Sequence, residues 1–159
     1  MSADRVLGAA RALLFVREEP KDSNAGQAVE AMLKLTGLGK GYPWCAAFVS
    51  WVGRAAYGKD WPLPMTAGCK ALGDAAEAKG LLVNRPLPGD VFLVWFPKLN
   101  RFGHTGFVVS VGDGGVCRCI EGNTNDGGSR DGWGVFERDR KFGPQDRFIR
   151  WRTPLEVPT

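Results

Sequence analysis

Apolar residues recur at helical spacing through the first half of the chain and at strand spacing through the second. Residues 4–18 read as an amphipathic helix stopped by Pro20, and residues 26–35 as a second helix ending near Gly37 and Gly39. A third begins at Trp44 or Cys45 and reaches about Ala56. Thr66 is placed to cap a fourth over 67–79, with Gly80 as its stop. From there the period shortens to two. Residues 91–96 are apolar on both faces, as a central strand requires, and follow the turn-forming Pro88-Gly89-Asp90. Residues 105–111, 116–121, 135–138 and 148–151 complete an antiparallel set separated by Gly- and Asp-rich turns. Helices followed by strands predict an α+β fold, with N-terminal helices packed on one face of a C-terminal antiparallel sheet.

Length and composition narrow this reading. A chain of 159 residues suits a single domain over 1–159 with its own core. Apolar residues at 44% and charged residues at 24% exclude a disordered chain, and 22 Gly with 10 Pro imply many turns. A net charge of +4 suits a polyanionic partner, either nucleic acid or an anionic cell wall. Cys45, Cys69, Cys117 and Cys119 read as thiols, because a domain of this size needs no staples and Cys117 and Cys119 alternate along one strand. The apolar segment 6–16 is broken by Arg11 and followed by Arg17, Glu18 and Glu19, so it reads as a helix and not as a signal peptide. No apolar stretch approaches the roughly 18 residues of a membrane span. Synthesis in the cytoplasm without a signal peptide, and no membrane insertion, are the expectations.

The chemistry centres on two residues. His104, the only histidine, heads the strand-like run Gly103-His104-Thr105-Gly106-Phe107-Val108-Val109. Cys45 lies far upstream in the first turn of the third helix, where unpaired N–H groups and the helix dipole stabilise a thiolate. A cysteine is commonly just a small buried hydrophobe. Here helical spacing places Cys45 on one stripe with Phe48, Val49 and Val52, which face the sheet. His104 shares a strand face with Gly106, Val108 and Ser110, and Gly106 leaves room for a helix end to approach. A base needs a partner to fix its tautomer, and Glu121 or Asn123 at the end of the following strand could supply it. Zinc or nucleic-acid binding by these residues fits poorly. Cys-x-Cys is not knuckle spacing, and Gly and acidic residues stand where a phosphate groove would carry Lys and Arg. No metal, cofactor or nucleic-acid partner is expected.

The motifs Pro43-Trp44-Cys45, Gly89-Asp90-Val91, Gly103-His104-Thr105-Gly106 and Glu121-Gly122-Asn123-Thr124, in this order, resemble the CHAP family, the cysteine, histidine-dependent amidohydrolases/peptidases. The resemblance spans roughly residues 23–140 and is greatest to the small phage-associated and bacterial cell-wall hydrolases. It implies a papain-like α+β fold and hydrolysis of an amide bond in peptidoglycan, as an N-acetylmuramoyl-L-alanine amidase or an endopeptidase. It also implies roles: Cys45 as nucleophile, His104 as general base and then acid, Glu121 as the group orienting the imidazole, and Asn123 completing the site.

The Cys45 N–H is the expected first oxyanion donor, and Tyr42 the candidate for the second. Trp44, Tyr42 and Trp133 are the expected substrate contacts, with Trp95 and Phe96 assigned to the core. Arg138-Asp139-Arg140-Lys141 reads as a solvated strand end, and Ser23-Asn24-Ala25-Gly26 as a helix cap. The expected partner is bacterial peptidoglycan, reached as a monomer delivered by a holin, a virion or a secretion machinery. The competing reading is a non-catalytic wall-binding or virion-structural module on the same fold.

Overall fold

The computed structural model describes residues 1–124 and 132–152. Its helices are α1 (Ala3–Arg11), α2 (Gln27–Leu35), α3 (Cys45–Tyr57) and α4 (Cys69–Ala78), and its strands β1 (Leu82–Val83), β2 (Val91–Phe96), β3 (Arg101–Val111), β4 (Val116–Thr124), β5 (Gly134–Lys141) and β6 (Arg147–Ile149). The strands form one antiparallel sheet in the order β1-β6-β2-β3-β4-β5. This is the α+β, papain-like arrangement expected.

Helix α3 is the axis of the core. Its sequence CAAFVSWVGRAAY carries small or apolar residues on nearly every side, and nine of its thirteen residues are buried. Phe48, Val49 and Val52 pack with Phe107 of β3 and Ile120 of β4, and the Phe48 and Phe107 rings meet edge to face at 6.1 Å. Each such buried side chain contributes about 1.5–3 kcal/mol. The opposite side of the sheet closes over a smaller cluster of Phe92, Val108, Cys117, Cys119 and Phe148. Asp90 anchors residues 150–152 beside the sheet. Its fully buried carboxylate accepts from Arg150, Arg152 and the Leu87 N–H, so this part of the Gly89-Asp90-Val91 motif is structural.

Several boundaries differ from the sequence expectation for identifiable reasons. Helix α1 stops at Arg11 instead of running to residue 18. The segment after it turns outward to pair with β5: Val135 N–H donates to Val16 O at 3.0 Å and Glu18 N–H to Trp133 O at 2.7 Å. The Arg17 guanidinium then lies 4.0 Å over the Phe136 ring. Helix α4 starts at Cys69 with Gly68 as its N-cap, two residues later than expected. Thr66 instead accepts from Gly68 N–H at 3.1 Å and holds the turn before the helix. Strand β3 begins at Arg101, four residues before the expected Thr105, through a bulge opposite Val94 and Trp95. Trp95 and Phe96, expected in the core, are only half-buried. Among the described residues no helix is long and apolar enough to cross a membrane.

The close approach of helix to sheet is made at Gly122, not at Gly106. A Cβ at Gly122 would stand 2.7 Å from Phe48 Cβ and 2.8 Å from the Trp44 ring, whereas one at Gly106 would strike Ile120 O, Glu121 and Phe92. Gly106 therefore makes room within the sheet, beneath the side chain of Glu121. Gly122→Ala is expected to cost about 1–3 kcal/mol through overpacking against α3. Urea unfolding measures this loss, and an unchanged midpoint would contradict the packing described.

Candidate active site

Two helix starts and two strands converge on one point. Cys45 is the first residue of α3, and the first intrahelical bond of that helix runs from Phe48 N–H to Trp44 O. The N–H groups of Cys45, Ala46 and Ala47 thus point out of the helix end. His104 comes from β3 and Glu121 from β4, both nearly or fully buried. The His104 Nε2–H donates to Glu121 Oε1 at 3.0 Å, which leaves Nδ1 for the thiol. Nδ1 is buried with no hydrogen-bond partner among the described residues, and Cys45 lies near enough for each group to shift the ionisation of the other.

Behind Glu121 stands Arg140. Its Nε donates to Oε2 at 2.5 Å and its Nη2 to Oε1 at 2.7 Å, a bidentate clamp on a carboxylate that has no exposure. The segment 138–141 is therefore not a solvated strand end at this position. Sequence pattern alone missed Arg140 because the surrounding charges look like a surface run. The signal available was the alternation that sets Arg140 on the same face of β5 as its β4 partner Cys117, and hence of Glu121.

The ionisation follows from this chain of contacts. Cys45 is drawn well below a thiol's ordinary range by the Cys69 thiol that hydrogen-bonds to it; burial opposes this, and His104 and the Ala46 N–H add to the lowering. Burial pushes the His104 imidazole down, but the hydrogen bonds and charges of Cys45 and Glu121 outweigh it and raise the group to about 9. Burial pushes Glu121 up, while Arg140 and His104 bring it down to about 2. The shifts all favour the charged forms, so that thiolate, imidazolium, carboxylate and guanidinium are favoured in alternation along the row.

The thiol is reached from a groove of about 440 Å³ whose walls include Tyr42, Pro43, Thr66, Cys69, Arg101 and Gly103. Tyr42, half-exposed, stands in that wall. Trp44 does not. It is fully buried, and its indole N–H donates to Glu18 Oε1 at 2.8 Å, so Trp44 belongs to the core beneath the site. Trp133 is not part of this groove wall; it packs against Phe136, Lys21 and Arg17. The residues just before it, 125–131, lie outside the described residues.

Asn123, next to last in β4, has a left-handed backbone conformation, φ 55°, and is buried, with Oδ1 lacking a hydrogen-bond partner among the described residues. No hydrogen bond among the described residues joins it to His104. The arrangement as a whole offers a thiol whose ionisation is favoured, an imidazole beside it, and backbone N–H groups at a helix end. These are the parts needed for acyl transfer.

The CHAP domain family model matches residues 37–123, more than half of the chain. The matched stretch includes Cys45, His104, Glu121 and Asn123 and ends before Arg140. No curated protein matches the chain.

Removing Arg140 would leave the Glu121 carboxylate buried beside a single cation. Arg140→Ala is expected to destabilise the fold by about 3–5 kcal/mol, and Arg140→Lys by less, because charge is kept while the fork is lost. Chemical denaturation near pH 7 checks the order of the two variants. Equal stabilities for parent and Arg140→Ala would show that the clamp carries no weight.

Proposed function

The chain belongs to the CHAP domain family, a family of peptidoglycan amidases and peptidases, and on that premise we propose that it hydrolyses an amide bond of bacterial peptidoglycan with Cys45 as nucleophile. The observation that carries this reading is the hydrogen-bonded row His104, Glu121 and Arg140, whose unpartnered Nδ1 end is electrostatically linked to Cys45 at the floor of an open groove.

In this mechanism the Cys45 thiolate attacks the carbonyl carbon of an N-acylmuramoyl or peptide amide. Negative charge develops on the carbonyl oxygen, and the Cys45 N–H at the start of α3 donates to it. Tyr42, in the groove wall, supplies a substrate contact and is the candidate for a second donor. As the tetrahedral species collapses, Nδ1–H of His104 protonates the departing amine and the acyl group remains as a thioester on Cys45. His104, now neutral, takes a proton from water, which attacks the thioester and restores the thiolate. Glu121 keeps Nε2 protonated throughout, so Nδ1 is the nitrogen that cycles.

The groove reaches beyond the thiol. Arg101 also lines a neighbouring depression of about 430 Å³ with Lys70, Asp74, Glu77, Trp95 and Arg147. This mixed-charge trough suits a branched substrate carrying both amines and carboxylates, and the net charge of +4 suits an anionic wall.

Cys45→Ala is expected to lower the release of new amino groups from purified sacculi by more than about 10⁴-fold. Clearing as fast as the parent would end the proposal. Mass spectrometry of the digest then assigns the bond: free glycan with intact stem peptides identifies an amidase, and shortened stem peptides an endopeptidase. Only intact disaccharide-peptides would exclude both.

The pH dependence has a defined sign. The raised pKa of His104 means its proton is present below about 9 and lost above, so activity falls as pH rises through an apparent value near 9. The acid side declines only where the depressed thiol reprotonates. A profile whose alkaline limb lies near 6.5, the ordinary imidazole value, would contradict the ion pair.

A further inference from the structure

Cys69 makes and breaks no bond in the hydrolytic steps beyond its hydrogen bond to Cys45, and its Sγ lies 3.6 Å from that of Cys45. The approach is built into the fold. Cys45 and Cys69 are the first residues of α3 and α4, helices of thirteen and ten residues whose N-termini meet at the groove floor. Buried Ser50, in α3, fixes the segment leading into α4: its hydroxyl donates to Thr66 O and accepts from Thr66 N–H, both at 3.0 Å. Cys45, Ala46 and Cys69 form a small cluster closed on one side by Phe102 and open on the other to the groove that both sulfurs line.

We propose that Cys45 and Cys69 form a reversible disulfide in response to hydroperoxides, which closes the active site of the enzyme. This rests on the reading of Cys45 as the nucleophile. The Cys45 thiolate attacks the distal oxygen of the hydroperoxide, breaking the O–O bond. It becomes a sulfenic acid, and the remaining oxygen leaves as water or an alcohol after taking up a proton. Cys69, within reach at the second helix end, attacks the Cys45 sulfur as its thiolate, and hydroxide leaves to be protonated to water. The sum is two thiols and one hydroperoxide giving one disulfide, one alcohol or water, and one water. The two sulfurs are oxidised and the peroxide is reduced. A dithiol reductant reverses the change by exchange at the disulfide.

The other two cysteines lack this chemistry. Cys117 and Cys119 are fully buried on the far face of the sheet, and burial raises both thiols above their ordinary range. They act as internal controls, unreactive in the folded chain.

The test treats the full chain with a small excess of hydrogen peroxide, blocks the remaining thiols in denaturant, and maps the peptides. The expected product is a Cys45–Cys69 linked peptide with Cys117 and Cys119 alkylated. Sacculus hydrolysis is expected to fall at least tenfold in step with the cross-link and to return with dithiothreitol. In Cys69→Ser the same peroxide is expected to carry Cys45 on to the sulfinic acid, which dithiothreitol does not reverse. Oxidation of parent Cys45 without the linked peptide would overturn the pairing. A quantitative cross-link with full activity would overturn the closure, and with it the nucleophile assignment. Because the cross-link is read by mass, the pairing is decided even if the chain hydrolyses no peptidoglycan.

Discussion

Four ionisable side chains in a buried row, Cys45, His104, Glu121 and Arg140, constrain the rest of this structure. A single charge placed where Glu121 sits, without exposure, would neutralise itself or unfold its surroundings. Alternation of sign along the row removes that penalty and holds each group in the form its neighbour needs. The guanidinium keeps the carboxylate charged, the carboxylate keeps the imidazole protonated and oriented, and the imidazolium helps keep the sulfur as thiolate. Loss of any member leaves an uncompensated charge in a low-dielectric setting, which ties the stability of the fold to the reactivity of the site.

The architecture exists to bring these groups from four elements to one place. Helix α3 is apolar almost all round because it is enclosed, and Gly122 lets it approach β4 closely enough for its first turn to reach His104. Gly106 opens space inside the sheet for Glu121, and the bulge in β3 lets Arg101 turn into the groove wall. Ser50 ties the segment before α4 to α3, which sets the second thiol beside the first. Trp44 supports the nucleophile from below through its bond to Glu18 and never meets the groove.

The periodicity of the chain carried the fold class, because an enclosed helix and a two-faced strand leave strong apolar patterns at 45–57 and 91–96. It left Glu121 and Asn123 both open as partners of His104; the family resemblance pointed to Glu121, and the hydrogen bond falls there. Boundaries shifted where tertiary partners overrode local preference. Residues 12–18 have helical composition, but 12–14 only turn back on α1 and 16–18 pair beside β5, while the Thr66 hydroxyl holds a turn. The misplaced aromatic and basic residues share one cause. Whether Trp44 faces a groove or the core, and whether Arg140 meets water or Glu121, depends on which elements lie across from them, and that information is not local. The nearness of Cys69 to Cys45 is of the same kind.

The account is tested most directly on the one histidine of the chain. Because His104 has no counterpart elsewhere in the sequence, its imidazole gives a single set of ring resonances, which nuclear magnetic resonance can follow against pH without assignment. The account predicts titration near 9 in the parent and a clearly lower value in Cys45→Ala, where the thiolate no longer holds the proton. Titration near 6.5 in both proteins would contradict it, since the imidazole would then carry no charge beside the sulfur at neutral pH.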